Sequence, residues 1–163
     1  MGFLKAEIEV SSSIELVWWA WTRKERLVQW FAPDATIEPY LGGTYELYFN
    51  PVNRDQMGTK GCIITHFEPK ERLGFTWKGP DEFADTMNHE DALTYVLVTL
   101  SEAEGKTQVL VEHFGWKEGE EWEKARGWHE MTWSHVLGSL KSALESGKEI
   151  CAALHRLPIK GRF

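Results

Sequence analysis

The chain has 163 residues, two cysteines and a formal net charge of −7, and 42% of its residues are hydrophobic. This length fits a single domain with a core of its own. The acidic balance excludes a nucleic-acid groove, which needs a basic face to displace counterions from phosphate.

Membrane and secretory signals are also missing from the sequence. The longest unbroken apolar run, residues 16–21, is far shorter than the ~20 residues of a membrane span. The N-terminus lacks the basic segment and apolar core of a signal peptide. We therefore expect no membrane span and a cytoplasmic protein, in which Cys62 and Cys151 stay reduced thiols.

A strand and two short helices open the chain. Residues 4–10 alternate apolar and polar side chains, the pattern of a half-buried strand. Segments 12–15 and 22–25 have the Ser/Thr-x-x-Glu spacing of a capping box, so each predicts the start of a helix. The second helix is expected to reach residue 31, because Pro33 disfavours the α conformation just before it.

Alternating segments then predict a mostly antiparallel sheet. Residues 43–49, 61–67 and 73–77 read as strands, although the second is apolar on both phases and its register stays open. Residues 94–100 and 107–114 flank a polar loop with a glycine, which is the pattern of a β-hairpin. One apolar face is expected, as in a sheet with one side in water.

A long helix is predicted to close the domain. Apolar side chains in residues 120–145 return to one side of a 3.6-residue helix, and Gly147 is suited to its C-terminal end. The sequence thus predicts one domain over residues 1–147. Residues 148–163 are expected to form a tail that is irregular or partly helical.

Two segments have no period. Residues 51–60 and the acidic residues 79–91 are predicted to be loops, because polar aperiodic segments usually are. The alternative for the second segment is a lip over a pocket, since long loops in compact domains are often functional.

The sequence around His129 does not complete a metal site. His129 and Glu130 begin the zinc motif His-Glu-x-x-His, but Trp133 stands where the second histidine belongs. His135 would lie about 120° around the helix from His129. No nucleophile elbow or glycine-rich phosphate loop is recognisable either, so we expect no metal and no cofactor.

His113 is the polar residue of greatest interest. By alternation it shares the face of Val109 and Val111, so it is expected on the concave side of the sheet. It is either a hydrogen-bonded core histidine or a polar anchor or acid/base for a cavity ligand. Tyr45 has the same two interpretations, as does His66 if its strand takes that phase.

Taken in order, the motifs of this chain resemble those of one superfamily. They are Val17-Trp18, Gln29-Trp30-Phe31-Ala32-Pro33, Gly42-Gly43-Thr44-Tyr45, Gly61, Arg72-Leu73-Gly74-Phe75-Thr76-Trp77, Thr107-Gln108-Val109-Leu110-Val111-Glu112-His113, Gly127-Trp128 and Leu140-Lys141. The chain resembles the START/Bet v 1-like superfamily, also called SRPBCC or helix-grip. Within it, the chain is most similar to the activator of heat-shock protein 90 ATPase homologue-like family.

The resemblance implies an α+β helix-grip fold. A curved, mostly antiparallel sheet would wrap around the long C-terminal helix, with two short helices after the first strand and a hydrophobic cavity between sheet and helix. The residues expected to line that cavity are Tyr45, Leu47, Phe75, Trp77, Val96, Val98, Val109, Val111, His113, Trp133, Leu137 and Leu140.

Two classes of function follow from the resemblance. The first is a noncatalytic binding module, monomer or homodimer, for a small apolar molecule that is lipid-like or polycyclic, or for a protein partner as in an ATPase activator. The second is a polyketide cyclase or dehydratase-like enzyme in which a cavity histidine or tyrosine acts as acid or base. Fold alone does not decide between them. Because the sequence offers no convincing acid/base pair, the binding module is the favoured hypothesis.

Overall fold

The computed structural model describes residues 3–50 and 58–150, with side chains described to residue 146. The elements are β1 (Leu4–Val10), α1 (Ile14–Thr22), α2 (Lys24–Leu27), β2 (Asp34–Ile37), β3 (Tyr45–Tyr48), β4 (Ile64–Glu68), β5 (Arg72–Trp77), a 3₁₀ turn (Asp81–Phe83), α3 (Ala84–Met87), β6 (Thr94–Ala103), β7 (Lys106–Phe114) and α4 (Glu120–Ile150). None of the helices in these ranges is long and apolar enough to cross a membrane.

The strands form a sheet that wraps one side of α4. Five strands pair in the order β1-β7-β6-β5-β4, and every pairing is antiparallel. β2 and β3 form a separate antiparallel pair, which is joined to the larger sheet by a bridge between Thr44 and Ile63. The predicted α+β helix-grip fold is confirmed.

The core lies between the sheet and α4, which packs chiefly against β1. Buried residues of α4 recur three or four positions apart and so share one side of the helix; they are Ala125, His129, Trp133, Leu137 and Leu140. Alternate residues of the central strands face them, as the pleat of a strand requires; they are Leu73, Phe75, Trp77, Val96, Val98, Leu100, Val109, Val111 and His113.

The first two helices differ from their predicted boundaries. Ser13, one residue later than expected, caps α1 by accepting the backbone N–H of Leu16 at 3.3 Å. Thr22 belongs to α1 and does not cap α2, because its hydroxyl donates to the Trp18 carbonyl at 2.8 Å. The N-terminus of α2 has no side-chain cap. The helix ends at Leu27, and turns replace the helix predicted up to residue 31.

Other elements also differ from the predicted ones. The short strand β2 was not predicted, because four residues give too little alternation to recognise. The hairpin between β6 and β7 turns tightly at Glu104 and Gly105, both with positive φ, so its strands are longer than expected. α4 continues past Gly147, so the predicted stop there is wrong.

The acidic segment after β5 is more ordered than the predicted loop. It contains the 3₁₀ turn and α3, whose Phe83 and Met87 are buried. Asn88 closes the segment by accepting the Gly79 N–H at 2.8 Å and donating to the Gly79 carbonyl at 3.1 Å. A Cβ atom at position 79 would lie 2.6 Å from the Met87 sulfur, so a larger residue there would displace the Met87 side chain.

Two predicted segments lie partly or wholly outside the residues that the structure describes. Residues 51–57 of the first predicted loop and residues 151–163 of the predicted tail, with Cys151, lie outside the described ranges. Cys62 is a buried free thiol, and burial raises its pKa to about 11.

Candidate functional site

A cavity of about 230 Å³ lies where the first half of α4 passes the end of β5. Its surface is almost entirely apolar, and aromatic rings make up much of it. The wall consists of Phe31, Phe49, Gly58, Trp77, Lys78, Gly79, Pro80, Trp128, His129, Thr132, Trp133 and Val136.

Helix geometry accounts for one wall of the cavity. Trp128, Thr132 and Val136 follow one another at intervals of four residues, so they form a row along α4. All three are half-buried. They lie beside the fully buried row that contains His129 and Trp133. The cavity therefore lies at the border of the packed face of α4.

Three aromatic rings from distant parts of the chain also meet on the cavity wall. Phe31 follows α2, Trp77 ends β5 and Trp133 lies on α4. Their ring centroids are 6.2 Å apart for Phe31 and Trp77, 5.7 Å for Phe31 and Trp133, and 5.5 Å for Trp77 and Trp133. These are contact distances for aromatic pairs.

His129 is held between an indole and its own helix. The Trp77 Nε1–H donates to His129 Nε2 at 3.1 Å, so that nitrogen must be an acceptor. His129 Nδ1 therefore carries the proton and donates to the Ala125 carbonyl at 2.8 Å. Burial lowers the pKa of His129 to about 4, so the ring is neutral near pH 7.

His113 is held in the same way, with the donor and acceptor roles of its two nitrogens exchanged. The Trp133 Nε1–H donates to His113 Nδ1 at 3.1 Å, so Nε2 carries the proton and donates to the Thr94 hydroxyl at 2.9 Å. Burial, and then the neighbouring His129, hold the pKa of His113 well below its usual range. The two imidazole centroids are 5.4 Å apart.

These bonds occupy all four imidazole nitrogens. Protonating either ring would break the hydrogen bond that its acceptor nitrogen receives from a tryptophan. A general acid or base needs a nitrogen within reach of the reacting group and a pKa near the working pH. His113 and His129 thus fix tryptophan rings and do not present a nitrogen to the cavity for proton transfer.

Of the twelve residues predicted to line the cavity, two lie on its wall and ten do not. Trp77 and Trp133 lie on its wall. The other ten are buried behind it in the packed core; they are Tyr45, Leu47, Phe75, Val96, Val98, Val109, Val111, His113, Leu137 and Leu140. As contacts of a ligand, all twelve stay a prediction.

The two remaining polar candidates lie elsewhere. The Tyr45 hydroxyl donates to the Trp21 carbonyl at 2.6 Å, and burial raises the pKa of Tyr45 well above its usual value. His66 is exposed, because a bulge between Ile64 and His66 shifts the pairing of β4.

Several wall residues were missed by sequence reasoning. The row Trp128, Thr132 and Val136 could have been found from its four-residue spacing next to the predicted buried face. Phe31 and Phe49 gave no such signal, because each lies just outside a regular element. Within residues 3–50 and 58–150, no three metal-binding side chains cluster in a way that could hold an ion.

A curved antiparallel sheet that grips one long helix, with an apolar cavity beside that helix, defines a START/Bet v 1-like protein. The model of one family in this class, "Activator of Hsp90 ATPase homolog 1-like protein", matches residues 11–145. The chain belongs to this family.

Solved structures share the fold at low sequence identity. The Aha1 dimer from Colwellia psychrerythraea is 24% identical, with a TM-score of 0.70 over 91% of this chain and 99% of that one. DynU16, from the dynemicin biosynthetic locus, is 21% identical with a TM-score of 0.70 over 90% of this chain and 48% of its own, so the chain spans about half the length of DynU16. CalU16 from Micromonospora echinospora is 20% identical, with a TM-score of 0.63 over 93% of this chain and 81% of that one. No curated protein sequence matches this chain significantly.

Proposed function

We propose that this protein is a binding module whose cavity takes a small apolar molecule. The observation that supports this is an almost wholly apolar cavity of about 230 Å³ with aromatic walls. A dry cavity of about 150 Å³ is enough to bind benzene. The volume here therefore suits a molecule of one or two rings, smaller than the polycyclic and lipid-like ligands that many pockets of about 300–1,000 Å³ accept.

The enzyme alternative has less support. A cyclase or dehydratase would need a titratable group that faces the substrate in a usable protonation state. His129 is the imidazole on the cavity wall, and both of its nitrogens are already bonded. Tyr45, the other residue type considered, donates to a backbone carbonyl away from the wall.

Binding is tested with naphthalene and one cavity-filling variant. We expect naphthalene to shift the NMR signals of the indole N–H groups of Trp77 and Trp133 in the wild-type protein. Val136→Phe puts a ring into the space that the ligand needs, and we expect at least a roughly tenfold loss of affinity. Met131→Phe adds the same ring to the same helix at a residue that is 72% exposed, and binding should be retained.

The outcome separates occupation of the cavity from nonspecific adsorption. Equal binding by the Val136→Phe and Met131→Phe proteins would place naphthalene outside the cavity and reject the proposal. Circular dichroism of both variants establishes that the fold is retained before binding is compared.

A protein partner is the second candidate, and the family match favours it. We propose a chaperone ATPase as the partner to test, because that activity gives the family its name. The measurement is the ATPase rate of purified Hsp90 with increasing amounts of this protein. A rate that stays flat through a large molar excess would reject direct stimulation, and it would leave small-molecule binding unaffected.

A further inference from the structure

The outer face of the sheet, which is turned away from α4, carries three aromatic side chains in one row. Tyr95 lies opposite Phe114 in the pairing of β6 with β7, and Phe3 directly precedes β1 beside Phe114. The ring centroids of Phe3 and Phe114 are 4.9 Å apart, and those of Phe114 and Tyr95 are 5.3 Å apart. Both pairs are stacked. The three rings therefore form a continuous row across the ends of three strands.

This aromatic row is open to solvent. Phe3 is 41% exposed and Tyr95 is 43% exposed, while Phe114 between them is half-buried. Leu97, the next outward residue of β6 after Tyr95, is also half-buried. Single exposed apolar side chains are ordinary on protein surfaces, whereas a contiguous group of large ones marks an interaction site. Tyr and Phe are also enriched at protein interfaces.

One charge of each sign adjoins the aromatic row. Lys5 and Glu112 lie opposite each other in the pairing of β1 with β7, two residues along from Phe3 and Phe114 and so on the same face. Within residues 3–50 and 58–150, the side chains of Lys5 and Glu112 make no ion pair or hydrogen bond, with each other or with any other group. Both charges are therefore available to a partner.

The balance of charge indicates what covers this face. We define the outer patch as Phe3, Lys5, Tyr95, Leu97, Glu112 and Phe114. The outer patch has no net formal charge, although the whole chain has a net charge of −7. Two copies of an acidic protein repel each other least where the local charge is balanced. A strongly acidic or strongly basic partner would pair with only one of the two charges.

A second copy of the chain would pair with both. In a twofold dimer the same patch lies on both sides of the interface, so Lys5 of one copy can meet Glu112 of the other, and the reverse pair forms as well. Aromatic side chains at the centre and charges beside them are the usual arrangement of a protein interface. The outer patch is thus complementary to itself in both apolar surface and charge.

We propose that the outer patch is a twofold interface between two copies of this chain, with the aromatic rows at its centre and two Lys5–Glu112 pairs between the copies. This inference goes beyond the proposed function and does not rest on it, because the cavity lies on the α4 side of the sheet. The patch is small for an interface, so we expect a dissociation constant of about 1–100 µM.

Sedimentation equilibrium of the full chain, from about 5 to about 500 µM, measures the dimer. Tyr95→Ala removes one aromatic side chain from the centre of the interface and should raise the dissociation constant at least about tenfold. Tyr40→Ala is the matched control. Tyr40 is 54% exposed and lies outside the outer patch, so its loss should change the dissociation constant less than about twofold.

A second experiment tests the charge pairs by reversal. Lys5→Glu and Glu112→Lys each place like charges across the interface, so either variant alone should dimerise at least about tenfold more weakly than the wild-type protein. An equimolar mixture of the two variants should recover the dimer, because opposite charges then face each other at both pairs. Each chain carries the same substitution before and after mixing, so an effect on folding cannot produce this recovery.

Three results would overturn the inference. One is a wild-type chain that stays monomeric up to about 500 µM, which would leave the outer patch to a different partner. Another is a dimer that Tyr95→Ala and Tyr40→Ala weaken equally, since the interface would then lie elsewhere. The third is a mixture of the Lys5→Glu and Glu112→Lys proteins that dimerises no better than either protein alone. None of these results bears on binding of naphthalene in the cavity.

Discussion

Helix α4 covers two interiors that differ in packing. Leu137 and Leu140 are buried, with side chains at most 1% exposed, and neither lines the cavity. Under Trp133 and Val136 a cavity of about 230 Å³ remains. Both interiors are made of large apolar side chains, so hydrophobicity alone does not explain why the cavity lies beside Trp133 and Val136.

Hydrogen bonds account for the difference. At the hollow end, Trp77 donates to His129 and Trp133 donates to His113, so directional bonds fix both indoles. A side chain held in this way cannot turn into the adjacent space without leaving a buried imidazole nitrogen unpaired. The aliphatic side chains Leu137 and Leu140 have no such constraint, so they are free to turn and close a void. Hydrogen bonds that fix the indoles in the wall thus help to keep an apolar cavity open.

The largest expected effect contrasts the two ends by truncation. Leu140→Ala should lower the free energy of unfolding by about 2–5 kcal/mol, because it opens a void in a filled core. Val136→Ala, beside space that already exists, should cost less than about 1.5 kcal/mol. Chemical denaturation measures both. Equal losses would show that the two ends are packed alike and would remove the contrast.

The second prediction uses pH to break the bonds at the hollow end. The pKa of His129 falls from 6.5 to about 4 on folding, and that of His113 also falls, so below pH 6.5 the unfolded chain binds more protons than the folded one. The contribution of these two neutral rings to the free energy of unfolding is therefore fully present above pH 6.5, and it is lost as the pH drops toward 4. Each ring should contribute up to about 1.4 kcal/mol per pH unit.

Denaturation curves between pH 7 and 5 test this prediction. The variant His129→Gln keeps an acceptor for the Trp77 N–H but cannot take up a proton in this range. Its stability should depend less steeply on pH than that of the wild-type protein. Parallel pH dependences would mean that the buried imidazole is not the source of the acid sensitivity.

The third prediction removes one indole donor. Trp133→Phe keeps a ring in place but leaves His113 Nδ1 unpaired, which should cost about 1–3 kcal/mol. Trp128→Phe is the control. Trp128 lines the same cavity from a half-buried position, and its indole N–H makes no hydrogen bond to the described residues. The control should cost less than Trp133→Phe in the same denaturation experiment. The reverse order would contradict the role given to the indole bond.

Much of the fold could be predicted from the sequence because alternation and helical periodicity are local signals. The strands around Phe75, Val96 and Val109 each show the period of two, and the face of α4 through Leu137 shows the period of 3.6. The ends of helices are harder to predict where a side chain has two possible hydrogen-bond partners close to it in the sequence. Thr22 illustrates this, since its hydroxyl bonds back to α1 instead of capping α2.

The candidate site was harder to predict, because a cavity is a property of packing between distant segments. Sequence alternation correctly predicted that His113 lies on the concave face of the sheet. It could not show that the Trp133 N–H donates to the Nδ1 atom of that ring. In the sequence, His129 is part of an incomplete zinc motif, whereas its bond to Trp77 spans 52 residues. No local pattern records such a contact.

The walls of the cavity have a consequence for folding energetics. They come from segments as far apart as Phe31, Trp77 and Val136, so the site exists only once the whole domain has assembled. Any molecule that binds there binds the native state alone, and mass action then raises the melting temperature in proportion to the logarithm of its concentration. At one hundred times its dissociation constant, an occupant would add about 2.7 kcal/mol to the stability of the domain. A melting screen of candidate compounds therefore tests for binding at this site without an activity assay.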